Sequence, residues 1–294
     1  MYGAIAANKR NTVLIMAAFI GLIGAIGYVV SLYYGQSSVT YWAIGGAGVY
    51  ALIQYFAASK LAIMATGAQE IQKKDNPRLY RIVENLAITI GIPTPKVYII
   101  EDPAPNAFAT GRDPKHAVVA ATTGILEVMN DRELEAVMAH EMGHVQNYDI
   151  RVSMIAFGLV SAIGLLSDMA MRMFFWGGSG DDRDRNASPV IMIVGVVIVI
   201  LAPIMAALIQ MAVSRQREYL ADATGAMTTR DAEGLARALE KLEKTGRPMQ
   251  RQSSSTAHLF FSNPLKSGGI SSLFSTHPPL EERIKRLRNN EGKF

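Results

Sequence analysis

The chain has 294 residues, half of them apolar, with 29 Lys and Arg against 25 Asp and Glu for a formal charge of +4. It has no cysteine, which excludes disulfides and thiolate metal sites and leaves His, Asp and Glu as the metal-binding side chains. Its modest basic excess flanks apolar runs and comes with no RNA- or DNA-binding motif, so no nucleic-acid partner is expected.

In chain order, residues 11–59 contain no Asp, Glu, Lys or Arg. A bilayer core takes about 20 helical residues, so this stretch fits two spans joined by a turn at Gly35-Gln36-Ser37-Ser38. Lys9 and Arg10 before an apolar run also suit a cleaved signal peptide. The apolar region of such peptides is only about 7–15 residues long, whereas this run continues to Tyr34, so a retained membrane hairpin is expected.

Residues 60–150 read as a small mixed domain. "NPRLYRIVENLAITIGI" (76–92) places Leu79, Ile82, Val83 and Leu86 at helical spacing, with Asn76 as cap, Pro77 in the first turn and an end near Gly91. "KVYIIE" (96–101) and "HAVVAAT" (116–122) are short, β-branched and bounded by turn residues, which predicts strands. "NAFATG" (106–111) lies between them and suits a shorter, edge-like strand. Over 130–147 Asn130 caps a helix, Glu133 completes a capping box, and Leu134, Val137, Met138, Glu141 and Val145 recur at spacings of three and four.

Two further apolar runs follow. Residues 189–213 are uncharged and long enough to cross, whereas 152–167 is shorter than the usual minimum and ends at Asp168 and Arg172. The shorter run suits either a span in a locally thinned bilayer or a helix partly buried in protein. Lys9, Arg10, Lys60, Lys73 and Lys74 flank the first hairpin and its turn carries no basic residue, which places both hairpin ends in the cytoplasm. The same bias puts the acidic loop at 168–188 outside and the basic tail inside. In that tail, 214–224 continues helically, further helices are expected at 231–244 and 279–288, and the Ser-, Gly- and Gln-rich segment 246–275 suits a mobile loop.

The chemistry is concentrated in "MAHEMGHVQN" (138–147). On a helix His140 and His144 project from one face and can offer two imidazole nitrogens to one ion. Glu141 lies about 100° further round, where it reaches a water beside the ion and can accept its proton. A catalytic zinc needs a third protein ligand and an open fourth position. "SRQREYLADATG" (214–225) offers Glu218 as that ligand and, four residues later on the same face, Asp222 to hold a ligating imidazole through a hydrogen bond. Taken alone, these two acids are equally at home on a solvated face with Arg215 and Arg217.

His140-Glu141-x-x-His144 with Glu218-x-x-x-Asp222, set among apolar spans, resembles the HtpX-type membrane zinc metallopeptidases, relatives of the CAAX prenyl proteases. The resemblance covers nearly the whole chain and runs through "NAFATG", "HEMGHVQNYD", "REYLADATGA" and "FSTHPPLEERIKRL". It implies a predominantly α-helical integral membrane protein with a small α+β zincin-like (gluzincin) catalytic domain. One zinc ion is then held by His140, His144 and Glu218, with Glu141 as general base and Asp222 behind a ligand. The implied substrates are misfolded or damaged membrane proteins, cut at the cytoplasmic face of a bacterial inner membrane in protein quality control.

The expected division of the chain is a membrane hairpin at 11–59, a catalytic part at 60–150, a second hairpin at 151–213 and a second catalytic part at 214–294. Asn106, Ala107 and Phe108 resemble the edge strand on which such peptidases receive an extended substrate, although Asn106 can equally shape a turn and Phe108 fill the core. His277 and Arg283 in "STHPPLEERI" are both placed to stabilise an oxyanion; the plain alternatives are a helix-start histidine and a surface ion pair. Two other functions stay open on sequence grounds. One is cleavage of prenylated C-terminal peptides; the other is a membrane scaffold whose structural zinc is closed by His277 as fourth ligand.

Overall fold

The computed structural model describes residues 2–176, 215–250, 259–262 and 278–290. The span expected at 189–213, most of the acidic loop and His277 lie outside the described residues. Contacts divide the chain into two compact units, one of Met1–Lys9, Ala57–Met154 and Val213–Phe294, the other of Arg10–Phe56 and Ile155–Ala212.

Helices α1 (Tyr2–Tyr34) and α2 (Ser38–Thr66) are the two halves of the expected hairpin. They reverse at Gly35, whose φ of 65° favours a residue without a Cβ. The short run at 152–167 lies within α6 (Asp149–Trp176), an unbroken helix of 28 residues that begins at a polar junction the hydropathy pattern does not count. By length and composition Gly3–Leu32, Ser38–Thr66 and Asp149–Leu166 are each able to cross a membrane. Within the second unit α1 and α2 touch through small residues: a Cβ on Gly27 would stand 2.4 Å from that of Ala43, the close approach that favours helix pairing in lipid. The Tyr50 hydroxyl donates to the Gly158 carbonyl at 3.0 Å and accepts from Gln54 at 2.8 Å, so the polar groups of these helices are satisfied internally. Val13, Leu32, Trp42 and Phe56 point outward and are exposed, the surface that acyl chains cover.

The first unit is α+β. Its sheet has the order β1-β2-β4-β3, from β1 (Gln69–Glu70), β2 (Lys96–Ile100), β3 (Ala107–Gly111) and β4 (Ala117–Thr122). β2 and β4 are parallel, and β3 is antiparallel to β4 with Phe108 opposite Ala120. α3 (Pro77–Ile90) starts at Asn76, whose side chain accepts from the Leu79 N–H, and stops at Gly91 as the residue pattern predicts. β4 runs into the short α4 (Thr123–Val128) and then α5 (Asp131–Gln146), where Asn130 and Glu133 form the expected capping box. After the second unit come α7 (Arg215–Thr229), α8 (Ala232–Thr245) and α9 (Leu280–Asn289). Leu134, Val137, Met138 and Met142 of α5 share one core with Val83 of α3, Val119 of β4, Leu235 of α8 and Leu287 of α9. α5 is thus enclosed on nearly every side, which holds its polar face in place.

Two described stretches of 246–275 are firmly bound, against the expectation of a mobile loop. The Arg247 guanidinium donates to the Pro103 carbonyl at 2.6 and 3.0 Å, and the Gln250 N–H donates to Asp102 at 2.7 Å. Further on, Phe260 forms a β-bridge with Phe108. The polar composition of the segment conceals Leu259, Phe260 and Phe261, which are buried and anchor it.

Candidate metal centre

α5 and α7 build the centre by crossing at small residues. A Cβ on Gly225 would lie 3.0 Å from the His140 backbone nitrogen, and one on Gly143 would lie 3.4 Å from the Ala221 carbonyl oxygen. This close approach carries Glu218 of α7 to the two histidines of α5. The Nε2 atoms of His140 and His144 are 3.1 Å apart, and the Glu218 carboxylate oxygens lie 3.7 Å and 3.5 Å from them.

The other nitrogen of each ring is bound to an acid. His140 Nδ1 lies 2.9 Å from Asp222 and His144 Nδ1 lies 3.1 Å from Asp149. An ionised carboxylate can only accept, so each Nδ1 carries a hydrogen, and each Nε2, turned toward Glu218, is the atom left to ligate a metal ion or hold a proton. Two ring nitrogens and a carboxylate that converge in this way require a positive charge between them, a proton or a metal ion. Tetrahedral zinc with bonds of about 2.0–2.1 Å holds its ligand atoms roughly 3.3 Å apart, close to the three separations found here. Around the rings stand the carboxyls of Glu141, Asp149, Glu218 and Asp222 against the guanidiniums of Arg217 and Arg283, so a divalent cation also suits the charge. The donor set fits a metal ion.

Burial lowers the pKa of His140 to about 4, against the pull of Asp222. Burial acts the same way on His144, but the Asp149 hydrogen bond and Glu218 outweigh it and raise that ring to about 9. Burial raises Glu141 to about 7, with His144 opposing and Glu218 assisting. The Glu141 carboxylate also accepts from the Ala109 N–H of β3, which ties it to the sheet edge. Glu141, His140, His144, Glu218, Ala109 and Phe260 line one pocket.

Arg283 of α9 is fully buried. Its guanidinium donates to Asp222 at 2.7 and 2.9 Å, stands 3.8 Å from Glu218, and lies 4.9 Å from the Phe261 ring centre. Neither a surface ion pair nor a solvated α7 face describes it, and Asp222 is buried with it. Among the expected strand residues, Asn106, Ala107 and Phe108 are all buried. The Asn106 side chain donates to the Ser262 carbonyl at 2.8 Å and accepts from the Ser262 N–H at 3.0 Å, while the Phe261 N–H donates to the Ala107 carbonyl at 2.8 Å. β3 is thus at the edge of the sheet, and residues 260–262 run along it. Phe261 also sets its ring 4.8 Å from that of His140, a neighbour that sequence reasoning missed because 121 positions separate the two residues. On sequence grounds Asp149, just past the zinc helix, suits steadying that helix by a hydrogen bond and a plain helix-end or membrane-boundary role equally; the structure sets it on His144 Nδ1.

Residues 73–291 match Peptidase family M48. The chain is 56% identical over 294 residues to a protein described as "Protease HtpX homolog" from Tropheryma whipplei (strain Twist), covering 100% of both chains. It is 48% identical to a protein of the same description from Lactobacillus helveticus (strain DPC 4571), covering 98% of this chain and 99% of that one. Among solved structures, that described as "Crystal Structure of S. mikatae Ste24p" superposes with a TM-score of 0.54 at 21% identity, over 98% of this chain and 67% of the other; the likeness is one of fold.

Proposed function

The chain belongs to peptidase family M48 and is a membrane metallopeptidase; from that premise we propose that it is a zinc-dependent endopeptidase cutting misfolded or damaged membrane proteins at the cytoplasmic face of a bacterial inner membrane. The observation that carries this reading is the convergence of His140, His144 and Glu218 beside Glu141 at the edge of a sheet. The proposed division is a membrane hairpin at 11–59, a catalytic unit assembled from 60–150 and 214–294, and a second hairpin at 151–213. Basic residues on the cytoplasmic flanks of the first hairpin support this orientation.

His140, His144 and Glu218 hold the ion, one per chain. When bound, zinc supplies a Lewis acid that polarises the scissile carbonyl and acidifies water. The Glu141 carboxylate takes a proton from the attacking water and delivers it to the departing amine nitrogen, so the C–N bond breaks as a C–O bond forms. Asp222 keeps His140 in the tautomer that leaves Nε2 free to ligate, and Arg283 anchors Asp222. Because Asn106–Phe108 already pair with residues 260–262, a substrate adds at the rest of β3 or displaces that segment. Arg283, enclosed by Asp222 and Phe261, serves the substrate oxyanion only at a distance.

Purified protein in detergent tests this assignment through metal content and cleavage of an unfolded substrate. Glu141→Gln is expected to retain about one zinc per chain while turnover falls about 100- to 10,000-fold. Full activity in that variant would remove Glu141 as the base, and zinc in both proteins with cleavage in neither would favour a structural ion.

A further inference from the structure

Asp149 lies five residues beyond His144, and on a continuing helix a residue at that spacing would stand about 140° round from it. It meets the ring instead because α5 ends at Gln146 with Asn147 as its cap, and Tyr148, at φ 63°, breaks the helical path before α6 begins. A left-handed conformation is strained for an aromatic residue and persists only where its surroundings impose it. Those surroundings include two consecutive residues near the start of α1. The Asn8 amide donates to the Asn147 carbonyl at 2.8 Å and to Asp149 Oδ1 at 2.6 Å, while Lys9 Nζ lies 4.6 Å from the Tyr148 ring centre. Arg151 lies 4.8 Å from the same ring centre.

Asn8 is 5% exposed although its helix begins only a few residues earlier. Its acceptors are a carbonyl and a carboxylate, so the site requires a group with two hydrogens to give; the opposite amide orientation would set oxygen against oxygen. With Oδ1 of Asp149 held by Asn8, Oδ2 is directed at His144 Nδ1. We propose that Asn8 is a positioning residue of the metal site, acting through Asp149 to fix the orientation and tautomer of His144. The inference rests on the reading of His144 as a ligand, and it makes the first turns of α1 part of the catalytic unit, in which residues 1–9 already lie. Carboxylates behind metal-binding imidazoles are worth about 10- to 100-fold in affinity, and a residue acting through such a carboxylate belongs at the lower end.

The test measures Zn²⁺ affinity by chelator competition on full-length protein in detergent. The set is wild type, Asn8→Ala, Asn8→Gln, Asp149→Ala, the Asn8→Ala/Asp149→Ala double and Glu218→Ala. Asn8→Ala is expected to bind about 10-fold more weakly, Asn8→Gln to recover part of that loss, and the double to bind no more weakly than Asp149→Ala alone. Wild-type affinity in Asn8→Ala overturns the proposal. So does a double variant in which the two losses multiply, because a merely structural Asn8 would act independently of Asp149. If Asn8→Ala does not fold, Asn8→Ser, which keeps one of the two hydrogens, decides by the same coupling. Undiminished binding in Glu218→Ala would instead overturn the metal-site reading itself, and the positioning role with it.

Discussion

The guanidinium of Arg283 and the carboxylate of Asp222 are both buried, and each is the main compensation for the other's charge. Burial alone would raise the Asp222 carboxyl, but Arg283 and His140 outweigh it and hold that group well below the usual carboxylate range. A lowered folded pKa stabilises the native state above the unfolded value of about 3.9, and the contribution fades as pH falls through the folded value. Arg283→Ala leaves Asp222 buried without its partner, a change that typically costs about 3–5 kcal/mol. Thermal unfolding at neutral pH is expected to show this loss. The difference from wild type should shrink in acid, where Asp222 takes up a proton in the variant first; a loss independent of pH would refute the electrostatic account. The pair of acids on α7 was legible from their spacing of four. The counter-charge was not, because Arg283 lies 61 positions from Asp222 in an unrelated helix.

Among the elements of the metal centre, α5 and α7 cross with little tolerance. Gly225→Ala would place a methyl 3.0 Å from the His140 backbone nitrogen, and backbone cannot rotate away as a side chain can. The helices must separate by a few tenths of an ångström, at a typical cost of about 1–3 kcal/mol, and Glu218 moves away from the histidines with α7. The variant is expected to bind zinc more weakly than wild type while keeping its helical content by circular dichroism; unchanged affinity would show that the crossing has slack. The starts of α3 and α5 were readable in advance because Asn76, Asn130 and Glu133 bond within their own first turns. β3 was readable as an edge-like strand but not as a covered one. Its cover is Phe260, 152 positions downstream in a segment whose composition suggests a loop.

For the molecule as a whole, the absence of native cysteine makes the proposed orientation directly testable. Gln36, in the turn after α1, and Lys115, beside β4, are both exposed. Single cysteines there are expected to react with a membrane-impermeant maleimide from opposite sides, Lys115→Cys only in inverted vesicles and Gln36→Cys only in right-side-out ones; labelling from the same side would refute the topology. Membrane class, the hairpin and its turn, the capped helices, and the pairing of His140 with His144 on one helix face were all determined by the sequence alone. Each depends on run length or on spacings of two to four residues, which local backbone geometry converts directly into position. Tertiary structure alone decided that Asp149 turns back onto His144, that Asn8 holds it there, that Arg283 is buried against Asp222, and that residues 260–262 lie along β3. Those contacts form where the folded chain brings distant segments together or leaves the helical path at a left-handed residue, and no local periodicity encodes them.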